Sequence, residues 1–229
     1  MIDTKLEVIK FAKKLNNSNL SPLRSGNISI RTTQNDKQGF FITPSGIKYD
    51  QLVEDSIVFM ELNEKVNEEK INKEGINPSS EWRFHQDIYV KKEDAKAIVH
   101  AHSTHATAVS AHGKNIPAFH YMIALAGGND IKCAQYATFG TKELSENIIQ
   151  ALEKRKACLM SNHGQVAFGK SLSEAFELAE EIENICHHRR GARWTSHGAA
   201  GQTCGGARQA RDGHGRAHQA ARAHQRRRL

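Results

Sequence analysis

Two pieces, Pro78-Ser-Ser-Glu-Trp-Arg-Phe-His85 and Ile98-Val-His-Ala-His-Ser-Thr-His105, form the stretch around which this chain is organised. In the second piece, Lys96 to Val99 reads as a short buried strand that feeds His100 and His102. Alternate residues of a strand point to one face, so imidazoles at i and i+2 converge. Borderline metals such as zinc take imidazole nitrogen at about 2 Å, and a rigid strand holds such donors well. A third histidine on another element and a nearby carboxylate would complete a four-coordinate site. The chain offers His163 in Ser-Asn-His-Gly and Glu81 in Pro-Ser-Ser-Glu. A His-x-His pair on its own is a common accident of strands, and His105, one helical turn past His102, is a rival ligand.

The rest of the 229 residues suits one domain, or one domain with an appendage. That length can bury a core without a disulfide staple. Cys133, Cys158, Cys186 and Cys204 are widely spaced with no Cys-x-x-Cys pair, which reads as reduced thiols in a cytoplasmic protein. No apolar run approaches roughly 18 residues, and the N-terminus lacks the apolar stretch of a signal peptide, so a soluble protein without membrane attachment is expected. The formal charge of +7 invites a nucleic-acid reading, but it is unevenly placed. Residues 187–229 hold ten Arg, no Lys and one acid, a net of +9, which leaves −2 for the other 186 residues.

In chain order, residues 4–16 read as a helix with Asp3 as its N-cap. Ile28 and Ile30 alternate with polar residues in a strand entered through Ser25-Gly26-Asn27. Gly39 to Thr43 is a second strand, closed by Pro44-Ser45-Gly46, and Ser56 to Leu62 a third. Asn63 to Asn77 reads as a charged connection without a core pattern. A helical pattern follows Ser79 and Ser80 through Trp82, His85, Ile88 and Tyr89. Further helices are expected from Ser103 to Ala111 and from Lys142 to Lys154. Strands over Ala157–Ser161 and Gln165–Gly169 flank an Asn162-His163-Gly164 turn. A capping box of Ser171 and Glu174 opens a last helix running to about His187. Because the early strands are joined without helices, the sheet is expected to be mixed and largely antiparallel, covered by helices. There is no Gly-x-Gly-x-x-Gly and no phosphate-loop lysine motif, so no nucleotide cofactor is expected. The Gly-containing turns at 25–27 and 45–46, and Ser79 and Ser80 at a helix start, can surround an anion, although each alone is ordinary turn and cap chemistry.

Past Cys186 the composition changes abruptly. The body has 18 Lys and 4 Arg; the tail is Ala, Gly, His and Arg with no hydrophobic periodicity. Lys, Ile and Asn use A/T-rich codons and Ala, Gly and Arg use G/C-rich ones. Residues 187–229 are therefore expected to be a disordered appendage, joined from other DNA onto a truncated gene. A nucleic-acid-binding arm is the alternative. No aromatic ladder accompanies the arginines, so non-specific polyanion binding is the most it implies.

Taken together, Ser25-Gly-Asn-Ile-Ser-Ile-Arg31, Ile42-Thr-Pro-Ser-Gly-Ile47, Pro78 to His85, Val99-His-Ala-His-Ser-Thr-His105, Ile116-Pro-Ala-Phe-His-Tyr-Met-Ile123, Tyr136-Ala-Thr-Phe-Gly-Thr141 and Asn162-His-Gly164 resemble the class II aldolase/adducin-head family over residues 5–186. The resemblance is strongest to its bacterial fuculose-phosphate aldolases. It implies a three-layer α/β/α domain over 1–186 and a homotetramer with active sites between subunits. It implies one zinc ion per subunit held by His100, His102, His163 and Glu81, with Glu81 also serving as base. Gly26, Asn27, Ser45, Gly46, Ser79 and Ser80 would bind the substrate phosphate. Tyr121, reaching in from a neighbouring subunit, would be the proton donor, and Phe139 would line the aldehyde pocket. The implied reaction cleaves a ketose 1-phosphate to dihydroxyacetone phosphate and an aldehyde such as lactaldehyde. Pentulose-phosphate epimerases, a dehydratase, decarboxylases and metal-free adducin heads share the family. The three histidines speak against an adducin-like module, and Glu81, where epimerases typically carry Asp, speaks for aldolase. Arg24 departs from the fuculose aldolase pattern, and nothing in 187–229 matches their C-terminal helix and tyrosine, so an inactive aldolase-like protein is the competing reading.

Overall fold

The computed structural model describes residues 4–18, 20–21, 25–71 and 75–191. The chain divides into two units, Met1–Arg193 and Trp194–Leu229, and every described residue belongs to the first. Asp3, Arg24, Cys204 and most of the arginine-rich segment lie outside the described residues.

The strands β1 (Gly26–Gln34), β2 (Lys37–Ile42), β3 (Val58–Glu61), β4 (Ala97–Ala101), β5 (Cys133–Ala134), β6 (Ala157–Met160) and β7 (Gly164–Gly169) form one sheet in the order β3-β2-β1-β4-β7-β6-β5. All neighbours pair antiparallel except β5 with β6. β4 is central and wholly buried, flanked by β1 and β7. Its apolar run is what a strand covered on both faces requires.

Helices cover both faces. Ala97, Val99 and Ala101 of β4 pack with Ile28, Phe41, Leu159 and Ala167 against α1 (Thr4–Asn17), α4 (Thr104–Ser110) and α6 (Leu172–Gly191). Ile98 packs with Phe40, Ile42, Met160, Val166 and Phe168 against α3 (Trp82–Lys91) and α5 (Lys142–Ala151). The strict alternation of the two residue sets is the period-2 pattern of a two-faced sheet, and it yields the α/β/α layering that the family resemblance implied. Phe176 of α6 is fully buried with its ring 5.7 Å from that of Phe11, at the α1–α6 seam. Phe176→Ala removes most of that volume and is expected to lower unfolding stability by about 3–5 kcal/mol. Urea denaturation checks it; a loss below about 1 kcal/mol would mean the seam closes over the gap.

Four features differ from the sequence expectation. The connection after β3 is not featureless: α2 (Glu64–Lys70) forms there, and its inward residue is polar. Asn67, fully buried, bonds the backbone N–H and C=O of Glu61 at 3.1 and 2.6 Å and donates to Gln86 at 2.6 Å. A single buried Asn leaves no apolar period to read. The two-residue strand β5 was too short to announce itself. Residues Tyr121–Ala126 form a 3-10 turn. Finally, α6 does not stop at the change of composition but continues through His187 and His188 to Gly191.

Candidate active site

β4 aims Ile98 and His100 at the α3 face, and His102 follows in the same phase just past the strand end. The His100 ring stands edge-on to Phe84 of α3, centroids 5.4 Å apart. His163 arrives from the β6–β7 turn, where Asn162 takes the left-handed conformation (φ 55°) that Asn tolerates. That turn is pressed onto β4: a Cβ on Gly164 would lie 2.4 Å from the Ala101 carbonyl oxygen, so only glycine lets His163 come this close. Glu81 sits at the N-cap position of α3.

These four residues meet. Their ligand atoms all lie within 4.8 Å of one another. His100 Nε2 is 2.9 Å from His102 Nε2 and 3.1 Å from Glu81 Oε2, and His163 Nε2 is 3.2 Å from Glu81 Oε1. His100 Nδ1–H donates to the Gln165 carbonyl at 2.8 Å, which turns the Nε2 lone pair toward the centre. Burial opposes the ionisation of Glu81, but the adjacent His100 and His163 outweigh it and hold the carboxyl well below the usual carboxylate range. Burial works against charge on His100, yet Glu81 beside it raises its proton affinity. Burial, with His100 and His163 adding to it, pushes His102 down to about 3.

A metal ion fits this set. Glu81 Oε1 is buried with only His163 Nε2 nearby, at 3.2 Å and without hydrogen-bond geometry, an unusual setting for a buried carboxylate oxygen. Three imidazole nitrogens and a carboxylate are the donor chemistry of zinc and similar divalent ions. His105, the rival, does not join the four: its Nε2 is 2.9 Å from His187 Nδ1.

Glu81, His102 and His163 line a pocket of about 540 Å³, and His100 lies fully buried behind them. Gly26, Asn27, Ser45, Gly46, Ser79 and Ser80 line it beside Glu81, His102 and His163. Gly26 is forced: its φ is +112°, and a Cβ there would meet the His100 carbonyl oxygen at 2.5 Å. The turns at 43–46 and 77–79 are tied together by Ser45 N–H to Asn77 O and Ser79 N–H to Thr43 O, both 3.0 Å. Those amides are therefore spent, and what Ser45 and Ser79 offer a ligand is hydroxyl. One amide hydrogen of Asn27 goes to Glu81 Oε2 at 2.9 Å.

Phe139, 64 % exposed, lies on the pocket rim. Tyr121 does not line the pocket and is 81 % exposed. Sequence reasoning missed Tyr49, buried with its hydroxyl donating to the Gly26 carbonyl at 2.6 Å, and Tyr136 on the rim. Both belong to the pocket only through tertiary folding. Tyr136 did stand inside one of the motifs.

Three histidines and a glutamate that could hold a metal ion thus meet at the end of the central strand of a mixed sheet, beside a pocket lined by small polar residues. The chain belongs to the class II aldolase and adducin N-terminal domain family, whose profile matches residues 6–189. It is 48% identical over 183 residues to the L-fuculose phosphate aldolase of Escherichia coli K12, covering 80% of this chain and 77% of that one. A 5-methylthioribulose-1-phosphate/5-deoxyribulose-1-phosphate aldolase of Rhodospirillum rubrum is 42% identical over 178 residues, 78% and 76% of the two chains. A solved L-fuculose 1-phosphate aldolase superposes with a TM-score of 0.74 at 39% identity, over 83% of this chain and 86% of that one. These relatives make the chain a class II aldolase, a lyase of the metal-dependent kind. Among the described residues no helix is long and apolar enough to cross a membrane.

Proposed function

We propose that this chain is a zinc-dependent carbon–carbon lyase of sugar catabolism, acting on a ketose 1-phosphate of the L-fuculose 1-phosphate type. The products are dihydroxyacetone phosphate and an aldehyde such as lactaldehyde. The observation that carries the reading is the convergence of Glu81, His100, His102 and His163, three of which line the pocket. Zinc bound there would act as a Lewis acid, stabilising negative charge on the substrate oxygens by several kcal/mol.

The chain's own residues supply the rest. In the synthetic direction the Glu81 carboxylate removes a proton from the hydroxymethyl carbon of dihydroxyacetone phosphate. That carbon bonds to the aldehyde carbonyl carbon, and the Tyr121 hydroxyl gives its proton to the aldehyde oxygen. Cleavage is the reverse: Tyr121 takes back the proton, the C3–C4 bond breaks, and Glu81 returns a proton to C3. Gly26, Asn27, Ser45, Gly46, Ser79 and Ser80 hold the phosphate, so the unreactive end orients the reacting carbons. Phe139 on the rim faces the aldehyde. Tyr121 lies away from its own chain's pocket and stands almost wholly exposed, which supports its delivery to a second copy's pocket in a homotetramer. Free Cys133, Cys158 and Cys186 support a reducing, cytoplasmic setting.

A panel of L-fuculose 1-phosphate, 5-methylthioribulose 1-phosphate and L-ribulose 5-phosphate tests the reading. Release of dihydroxyacetone phosphate from one of the two 1-phosphates is expected, abolished by a chelator and restored by zinc. Epimerisation of the 5-phosphate without cleavage of either 1-phosphate would replace the lyase with an epimerase. No turnover of any of the three, with zinc bound, would favour an inactive aldolase-like protein.

A further inference from the structure

Beneath the pocket runs a series of hydrogen bonds that the reaction above leaves unused. Tyr89 Oη is 2.8 Å from Ser29 Oγ, and Ser29 Oγ is 2.7 Å from His85 Nδ1. His85 Nε2 is 2.5 Å from Asn27 Oδ1, and Asn27 Nδ2 is 2.9 Å from Glu81 Oε2. All five residues are buried; Glu81, the most exposed, is 7 % accessible. His85 lies one helical turn beyond Glu81 on α3, its ring stacked on Phe84 at 4.6 Å. Asn27 and Ser29 are successive same-face residues of β1, so the series joins the helix that carries Glu81 to the strand paired with β4.

Its direction is fixed from one end. A carboxylate accepts only, so Asn27 must present its NH₂ to Glu81 and its carbonyl oxygen to His85. His85 Nε2 therefore carries the proton, and its Nδ1 accepts from the Ser29 hydroxyl, which in turn accepts from Tyr89. Turning the Asn27 amide over would set its oxygen against the carboxylate and leave two buried groups mismatched. Full burial, with His100 nearby adding to it, pushes His85 down to about 3, which keeps the ring neutral.

We propose that His85 is a positioning residue for the aldolase reaction: protonated on Nε2, it locks the Asn27 amide and through it the orientation of the Glu81 carboxylate. The proposal rests on the reading of Glu81 as base. The two ring nitrogens serve opposite partners, Nδ1 facing Ser29 and Nε2 facing Asn27, and it is the Nε2 bond that bears on Glu81. Gln at this position reaches the place of Nε2 and can keep the Asn27 bond; Asn reaches only the place of Nδ1 and cannot.

The test compares His85→Gln, His85→Asn and Glu81→Gln in the full chain loaded with zinc. The probe is cleavage of whichever ketose 1-phosphate of the panel the parent turns over. His85→Asn is expected to lose kcat about 10–100-fold with KM little changed, and His85→Gln to recover most of that loss. Equal losses in the two variants, or parental kcat in His85→Asn beside a dead Glu81→Gln, would overturn the role of His85. An active Glu81→Gln would instead overturn the base assignment itself. A readout free of turnover is the nitrogen-15 spectrum of histidine-labelled, zinc-free parent, with His85 assigned by its loss in His85→Gln. The Nε2–H tautomer is expected, and a proton on Nδ1 refutes the proposal even where His85→Asn fails to fold.

Discussion

Glu81→Gln is expected to slow cleavage by about 10²–10⁴ while leaving metal bound. The substitution keeps the shape of the side chain and its place at the head of α3, but an amide cannot take the proton that the carboxylate takes. His100, His102 and His163 remain as three protein ligands, which is the number that catalytic zinc sites commonly use. The amide also meets Asn27 differently: one of its two ends would set a donor against the Asn27 NH₂, so the Gln is expected to turn its oxygen there. Metal content by elemental analysis and single-turnover rate separate the two effects. Cleavage near the parental rate with full metal would remove Glu81 from the role of base. Loss of metal along with activity would make it chiefly a ligand.

The parts of the site that sequence disclosed are those in which local geometry and chemistry coincide. His100 and His102 were legible because a buried strand has period 2, and their nitrogens do meet at 2.9 Å. His163 was legible because Asn-His-Gly is turn chemistry between two apolar strands, and Asn162 does adopt the left-handed conformation there. The layered mixed sheet followed from strands joined without helices early in the chain and with helices later.

What stayed hidden depends on partners distant in sequence. His85 looked like one more position on the inward face of an amphipathic helix. Its bonds go to Asn27 and Ser29, more than 50 residues earlier, and nothing local announces them. Tyr49 reads as an ordinary loop aromatic until its hydroxyl is seen on the Gly26 carbonyl. The helix α2 escaped notice because its buried contact is the carboxamide of Asn67 rather than an apolar stripe. The end of α6 was misjudged for a compositional reason: His and Arg are compatible with a helix already propagating, whatever their contrast with the body. Tyr121 and Phe139 were singled out by resemblance alone, and their exposed positions on this single chain neither brought them together nor explained them.

His100→Ala is expected to strip most of the metal from the protein and, with it, the activity that a chelator would remove. Four groups converge, but they are not equivalent. His100 alone is fully buried, contacts both His102 and Glu81 through Nε2, and is itself oriented by the Gln165 carbonyl through Nδ1. Loss of a mere orienting partner typically costs about 10–100-fold in metal affinity, so loss of the oriented ligand should cost at least that much. The alanine also opens a space beside Glu81 in which water can solvate the carboxylate, weakening its pull on a cation further. Fold stability of the metal-free protein is expected to change less than metal affinity, because Ile98 and Val99 of β4 keep their packing on both faces of the sheet. Elemental analysis after dialysis against a weak chelator, alongside His105→Ala, checks the assignment. His105→Ala is expected to retain the parental metal content, since its ring nitrogen is directed at His187 and not at the cluster. If His100→Ala holds a full equivalent and His105→Ala does not, the metal belongs to the other pair of histidines and the active site has been misplaced.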